Sequence, residues 1–182
     1  MGRHFGICGA LMSVSFMLAC GDAPAPTGPT GPGVSDTAAS AAVQTGRSIL
    51  MLDNCDPDSF NAALGPGTCV NRNGGLSFAT FQALFQKHQQ VSSWRFSTSN
   101  IHVPTTVTLE ILNKGGEEHS FTEVAEFGGG LVPPLNAGQA TRPECFAAEL
   151  IESGGQTTHT FVAGESAKYQ CCIHPWMRAE SR

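Results

Sequence analysis

The chain has 182 residues and a formal charge of −5, with 21 glycines, 11 prolines and few charged side chains. That length accommodates one domain with a real core plus tails, and the wealth of turn formers suits a β-rich domain more than a helical bundle. The acidic balance, without any cluster of lysine and arginine, argues against nucleic acid as a partner.

The chain opens with a short basic stretch at Arg3 and His4, followed by an apolar run over residues 5–18. The run is too short to span a bilayer comfortably, and the order of basic, apolar and small residues is that of an export signal. It closes on Met17-Leu18-Ala19-Cys20-Gly21, which resembles the lipobox of bacterial lipoproteins. The resemblance implies cleavage before Cys20, lipidation of Cys20, and a periplasmic or cell-envelope protein anchored to a bacterial membrane. Residues 1–19 are therefore expected to be a signal peptide and residues 20–45 a flexible linker. Residues 23–42 carry almost no large apolar side chain, so they cannot bury enough surface to offset the entropy of ordering. Cys20, Cys55, Cys69, Cys145, Cys171 and Cys172 remain beyond the signal, and outside the cytosol paired cysteines are expected to be oxidised.

Residues 46–93 read as an extension made of a disulfide loop and a helix. Residues 48–52 form a short apolar run, then Cys55 and Cys69 bracket a loop rich in turn residues. A disulfide between them would stabilise by roughly 3 kcal/mol on the chain-entropy model. Asp53, Asp56 and Asp58 lack the spacing of a calcium loop and read as a solvated, turn-forming stretch. In residues 77–91, Phe78, Phe81, Leu84 and Phe85 repeat at helical spacing behind Ser77, a fitting N-cap. His88, near the end of that helix, reads as a surface residue.

From Trp94 the pattern becomes strands and turns, expected to be a separate domain over residues 94–182. Val107, Leu109 and Ile111 alternate as in a half-buried strand. Residues 157–162 and 167–171, joined through Gly164-Glu165, read as a hairpin. Several short strands at this spacing point to a β-sandwich.

Chemistry concentrates at the end of the chain. Cys171-x-x-His174-x-x-Met177 sets a thiolate, an imidazole and a thioether three residues apart. With one further histidine, this is the donor set of a blue-copper electron-transfer site. His119 lies about fifty residues upstream, behind a strand and an asparagine. His88, His102 and His159 are isolated and read as locally satisfied, so the additional histidine clusters of a multicopper enzyme are missing.

Asn113-(x5)-His119-Ser120-Phe121 together with Tyr169-x-Cys171-x-x-His174-Pro175-x-Met177 resembles the cupredoxin family of plastocyanin- and amicyanin-like blue copper proteins, over roughly residues 94–180. The resemblance implies an all-β fold, a Greek-key β-sandwich. It also implies one type 1 copper, with His119, Cys171 and His174 as strong equatorial ligands and Met177 as the weak axial one. Asn113 would sit behind the ligands and tie their two loops together. His174 would show its ring edge at the surface, with Pro175 and Trp176 forming an apolar patch for a redox partner protein. Cys171 and Cys172 should point to opposite faces if the strand persists; the family spacing selects Cys171 for the metal and leaves Cys172 to pair with Cys145, although connectivity does not follow from sequence. The family also continues past the axial methionine into a final strand. Only Arg178-Ala179-Glu180-Ser181-Arg182 follows here, so that strand is expected to be vestigial, or its edge to be covered by the N-terminal extension or a partner. The function implied is electron transfer and not enzymatic catalysis. The alternatives are a periplasmic copper carrier or store and a copper-free structural domain.

Overall fold

The computed structural model describes residues 43–71 and 75–182. The expected signal peptide, the lipidation candidate Cys20 and nearly all of the linker lie outside them.

β4 (Val107–Asn113) buries Val107, Leu109, Ile111 and Asn113 and leaves the residues between them half-buried, the two-residue period of a strand with one face on a core. It belongs to a sheet of four strands, β1 (Val43–Leu52), β2 (Arg95–Phe96), β4 and β6 (Gln156–Phe161), in the order β2-β1-β4-β6. β4 runs antiparallel to β6 and parallel to β1. The second sheet contains β3 (Asn100–Ile101), β5 (Thr122–Val124), β7 (Ala167–Gln170) and β8 (Arg178–Ser181), in the order β3-β8-β7-β5. Here β7 is antiparallel to both neighbours and β3 is parallel to β8. One core draws on both sheets, with Ile49, Met51, Leu109, Ile111 and Phe161 from the first and Ile101, Tyr169 and Ala179 from the second. The molecule is thus the expected β-sandwich, built from two mixed sheets.

Three expectations are corrected. The strands of residues 157–162 and 167–171 do not form a hairpin: β6 pairs with β4 and β7 with β5 and β8, so the turn at Gly164 carries the chain from one sheet to the other. Residues 46–93 are not an appendage to a domain beginning at Trp94. Ile49, Leu50 and Met51 pair with Ile111, Leu112 and Asn113, so β1 is an interior strand of the first sheet. The final strand is also present: Lys168, Tyr169 and Gln170 of β7 pair with Glu180, Ala179 and Arg178 of β8, and β3 covers the other edge of β8. Four residues suffice because the strand is paired on both sides, which satisfies its backbone groups.

Two helices fill the connection between β1 and β2. α1 (Pro57–Leu64) was not expected; Asp56 caps it by accepting from the Ser59 amide at 3.0 Å, with Pro57 at the first helical position. α2 (Phe78–His88) falls inside the expected helix, with Ser77 as its N-cap and Gln89 in the left-handed conformation at its C-terminus. Phe60 of α1 and Phe81 of α2 are buried against Trp94, with Phe81 and Trp94 ring centroids 4.8 Å apart. Phe85 extends the cluster to Trp176, at 5.1 Å between centroids. A disulfide joins Cys55 to Cys69 below α1, and a second joins Cys145 to Cys172. Cys171 is the one free cysteine among the described residues.

Phe60 is 1% exposed and touches three other aromatic rings. Phe60→Ala is expected to cost about 3–5 kcal/mol, measured as a lower urea midpoint at unchanged slope.

Candidate metal centre

Two loops at one end of the sandwich bring the donors together. His119 stands just ahead of β5 and is held by a two-residue bridge: its amide donates to the Ile151 carbonyl at 3.1 Å, and the Ile151 amide donates back at 2.7 Å. Cys171 follows β7 directly. The loop from Cys171 to Met177 closes on itself, the Cys171 amide donating to the Met177 carbonyl at 3.0 Å and the Met177 amide to the His174 carbonyl at 2.9 Å. β8 then begins at the next residue.

The His119 and His174 Nδ1 atoms lie 3.3 Å apart, and Cys171 Sγ lies 3.7 Å from the first and 4.0 Å from the second. A point equidistant from all three atoms is about 2.1 Å from each, by the circumradius of that triangle. Imidazole and thiolate bind zinc, a comparable first-row ion, at about 2.0–2.3 Å, so the pocket already has the dimensions of a trigonal metal site. His119 and Cys171 are fully buried, His174 is 2% exposed, and Met177 is buried in the same loop.

The electrostatics favour a thiolate at the centre. Burial alone would raise the Cys171 pKa, but hydrogen bonds and charge from His119 and His174 hold it well below the ordinary thiol value. The amides of Ser120 and His174 each point at Cys171 Sγ from 3.4 Å. Ser120 also ties the two loops, because its hydroxyl oxygen accepts from the Cys172 amide at 2.8 Å.

The outer face of each imidazole meets a carboxylate. His119 Nε2 is 2.9 Å from Asp53 Oδ2, with both side chains at 0% exposure, and His174 Nε2 is 3.6 Å from Glu117 Oε2. Asp53 also accepts from the amides of Cys55, Gly116 and Glu117 at 3.1, 3.0 and 2.9 Å. Its close approach to the loop requires a glycine at 115, where a Cβ would collide with the Asp53 carboxylate. Burial would raise the Asp53 carboxyl, but the hydrogen bonds from His119 and the two loop amides bring it down to about 2. Burial would lower His119, and its bonds to Asp53 and Cys171 outweigh that and lift it to about 9. Glu117 is pushed upward by burial, against the pull of His174 and of Trp94, whose Nε1 donates to it at 2.6 Å.

Several residues take other places than expected. Asp53 is not solvated; it sits at the end of β1, behind the ligand loop. Asn113 is fully buried, but it braces only the His119 side: its side-chain amide donates to the carbonyls of Glu117 and Ile151 at 2.8 Å each, and its oxygen accepts from Gly115. The tie between the two loops belongs to Ser120. His174 is 2% exposed and Pro175 is buried, while Trp176 is half-buried. Trp94 and Trp176 pack on the His174 ring at 6.3 and 5.4 Å between centroids, and α2 lies beyond them. An apolar groove of about 750 Å³, lined by Phe60, Phe81, Phe85, Leu135 and Ile173, reaches His174 from outside. His159 donates to or accepts from Tyr169 at 3.0 Å, and stays apart from the centre as expected.

Two sheets around one core, with His119 ahead of β5 and the cysteine loop between β7 and β8, complete the architecture. The fold is cupredoxin-like. No family model matches the chain, and no curated protein matches it in sequence. Solved structures similar to it include a purple cupredoxin from Nitrosopumilus maritimus, at 18% identity and a TM-score of 0.37, covering 50% of this chain and 83% of that one. A reduced amicyanin variant matches at 20% identity and a TM-score of 0.34, over 50% of this chain and 75% of that one. A Cu(I) amicyanin variant at pH 4 matches at 21% identity and a TM-score of 0.33, over 48% and 70%. The chemistry of the site rests on this chain's own donors.

Because the Asp53 pKa falls from 3.8 to about 2 on folding, its contribution is fully present above about pH 4 and is lost as pH drops toward 2. In the metal-free protein this loss should amount to roughly 2 kcal/mol. Urea titrations of the metal-free protein at several acidic pH values should show it, and Asp53→Asn should flatten that part of the profile.

Proposed function

We propose that this chain is an exported electron carrier holding one type 1 copper on His119, Cys171 and His174, with Met177 as the weak axial ligand. The observation that carries the reading is the triangle of two Nδ1 atoms and one thiolate, already at metal-binding spacing and buried. Three close ligands with a distant thioether suit both oxidation states of copper, so little must move when an electron arrives or leaves. The bridge at His119 and the closed Cys171–Met177 loop hold the donors from the backbone, which keeps that reorganisation small. The bound copper would supply the one-electron chemistry. The chain's part is to fix the donors, shield them from water and leave a path for the electron.

That path is the apolar groove to His174. A redox partner protein would meet the carrier there, against the α1 and α2 side of the groove, and not on an open patch at Pro175 and Trp176. Two disulfides suit an oxidising compartment, and no helix among the described residues is long and apolar enough to cross a membrane. Attachment to a membrane through lipidated Cys20 completes the proposal.

Adding Cu(II) to the purified metal-free protein is expected to give an intense blue to purple colour from thiolate-to-copper charge transfer. Cys171→Ser should abolish that colour, and Cys145→Ser with Cys172→Ser should keep it, at some loss of stability. A colourless protein that binds Cu(I) would make it a copper carrier instead, and a protein that binds neither ion would make it a structural domain.

A further inference from the structure

Each ligand imidazole has two nitrogens, and in both the second faces a carboxylate that the Cys171-x-x-His174-x-x-Met177 motif does not contain. Asp53 Oδ2 is 2.9 Å from His119 Nε2, and Glu117 Oε2 is 3.6 Å from His174 Nε2. Both carboxylates are held by other donors as well. Asp53 takes the amides of Cys55, Gly116 and Glu117, and Glu117 takes Trp94 Nε1. They are thereby aimed at the rings. Taking two carboxylates out of solvent is costly, and a turn could be closed or an indole satisfied by a neutral group. The feature that neutral groups would not reproduce is negative charge behind both rings.

We propose that Asp53 and Glu117 are positioning residues for the copper centre: Asp53, at 2.9 Å, fixes the His119 imidazole with the proton on Nε2 and the lone pair on Nδ1, while Glu117, at 3.6 Å, acts on His174 through its charge, and together they hold the reduction potential down. The inference rests on the copper reading above. A carboxylate that accepts the outer N–H sets the tautomer and orientation of a ligating histidine and raises its basicity. Negative charge a few ångströms behind the ring favours Cu(II) over Cu(I), and does so more strongly in a buried site than in water. Asp53, closer to its ring and fully buried, carries the larger share.

The test uses the full chain loaded with copper, and a Zn(II)-loaded sample for NMR. In proton–nitrogen correlation spectra of the Zn(II) and Cu(I) forms, both ligand imidazoles should carry their proton on Nε2. Asp53→Asn should keep the charge-transfer band while raising the Cu(I):Cu(II) ratio at a fixed applied potential by about tenfold, ~59 mV for one electron. Glu117→Gln should shift it in the same direction by less, and the charge-conserving Glu117→Asp should stay nearer the parent. A proton on Nδ1 of either ring, or a ratio unmoved in both neutral variants, would overturn the inference. Should Asp53→Asn not fold, Glu117→Gln and the exchange rate of the His119 Nε2 proton in the unaltered protein still decide it. A protein that gives no colour with Cu(II) counts against the copper reading, whereas a His119 Nε2 proton that exchanges rapidly with water in the Zn(II) form counts against the carboxylate clamp itself.

Discussion

The Asp53 carboxylate joins parts of the molecule that are far apart in the chain. Four donors converge on it: His119 Nε2 and the amides of Cys55, Gly116 and Glu117. It therefore connects the end of β1, the start of the disulfide loop and the whole approach to His119. Glu117, whose amide it holds, turns its own carboxylate to Trp94 and His174. Through this one residue the first sheet, the aromatic cluster and both histidines are in mechanical register. A hydrogen-bonded carboxylate in a dry setting is strong because water cannot compete for its donors.

What was legible in the sequence was mostly local. Cys171, His174 and Met177 are three residues apart, and the loop that carries them needs no knowledge of the rest of the fold. The Phe78 to Phe85 repeat and the Ser77 cap marked α2 for the same reason. His119 was reachable because its strand and asparagine precede it at a familiar distance. The parts that were not legible depend on pairing across long separations. β1 lies parallel to β4, and parallel neighbours require a long crossover, so nothing near residue 49 announces a partner at residue 111. Asp53 is 66 residues from His119, and on its own it looks like any aspartate in a turn. A hint existed in hindsight: it ends a strand whose alternate residues, Ile49 and Met51, are buried, and it directly precedes a cysteine-closed loop.

The burial of His174 has the same origin. The motif around it says nothing of what lies above, and α1 and α2 come from a segment roughly 85 to 115 residues earlier. Their phenylalanines, with Trp94 and Trp176, occupy the face that an open site would show to solvent. Excluding water there strengthens every charge interaction inside the site.

The neighbouring Cys171 and Cys172 carry a consequence for how the protein matures. Cys172 is bonded to Cys145, while Cys171 faces the histidines with its sulfur unpaired. During oxidative folding Cys145 must choose between two adjacent thiols, and the wrong choice would leave the histidines without a sulfur. A thiolate beside a disulfide can also attack it and reshuffle the pair. Once the fold has formed, Cys172 is bonded to Cys145 and Cys171 is held against His119 and His174, and the choice is locked. A metal ion on Cys171 would act as a protecting group for that thiol during oxidation.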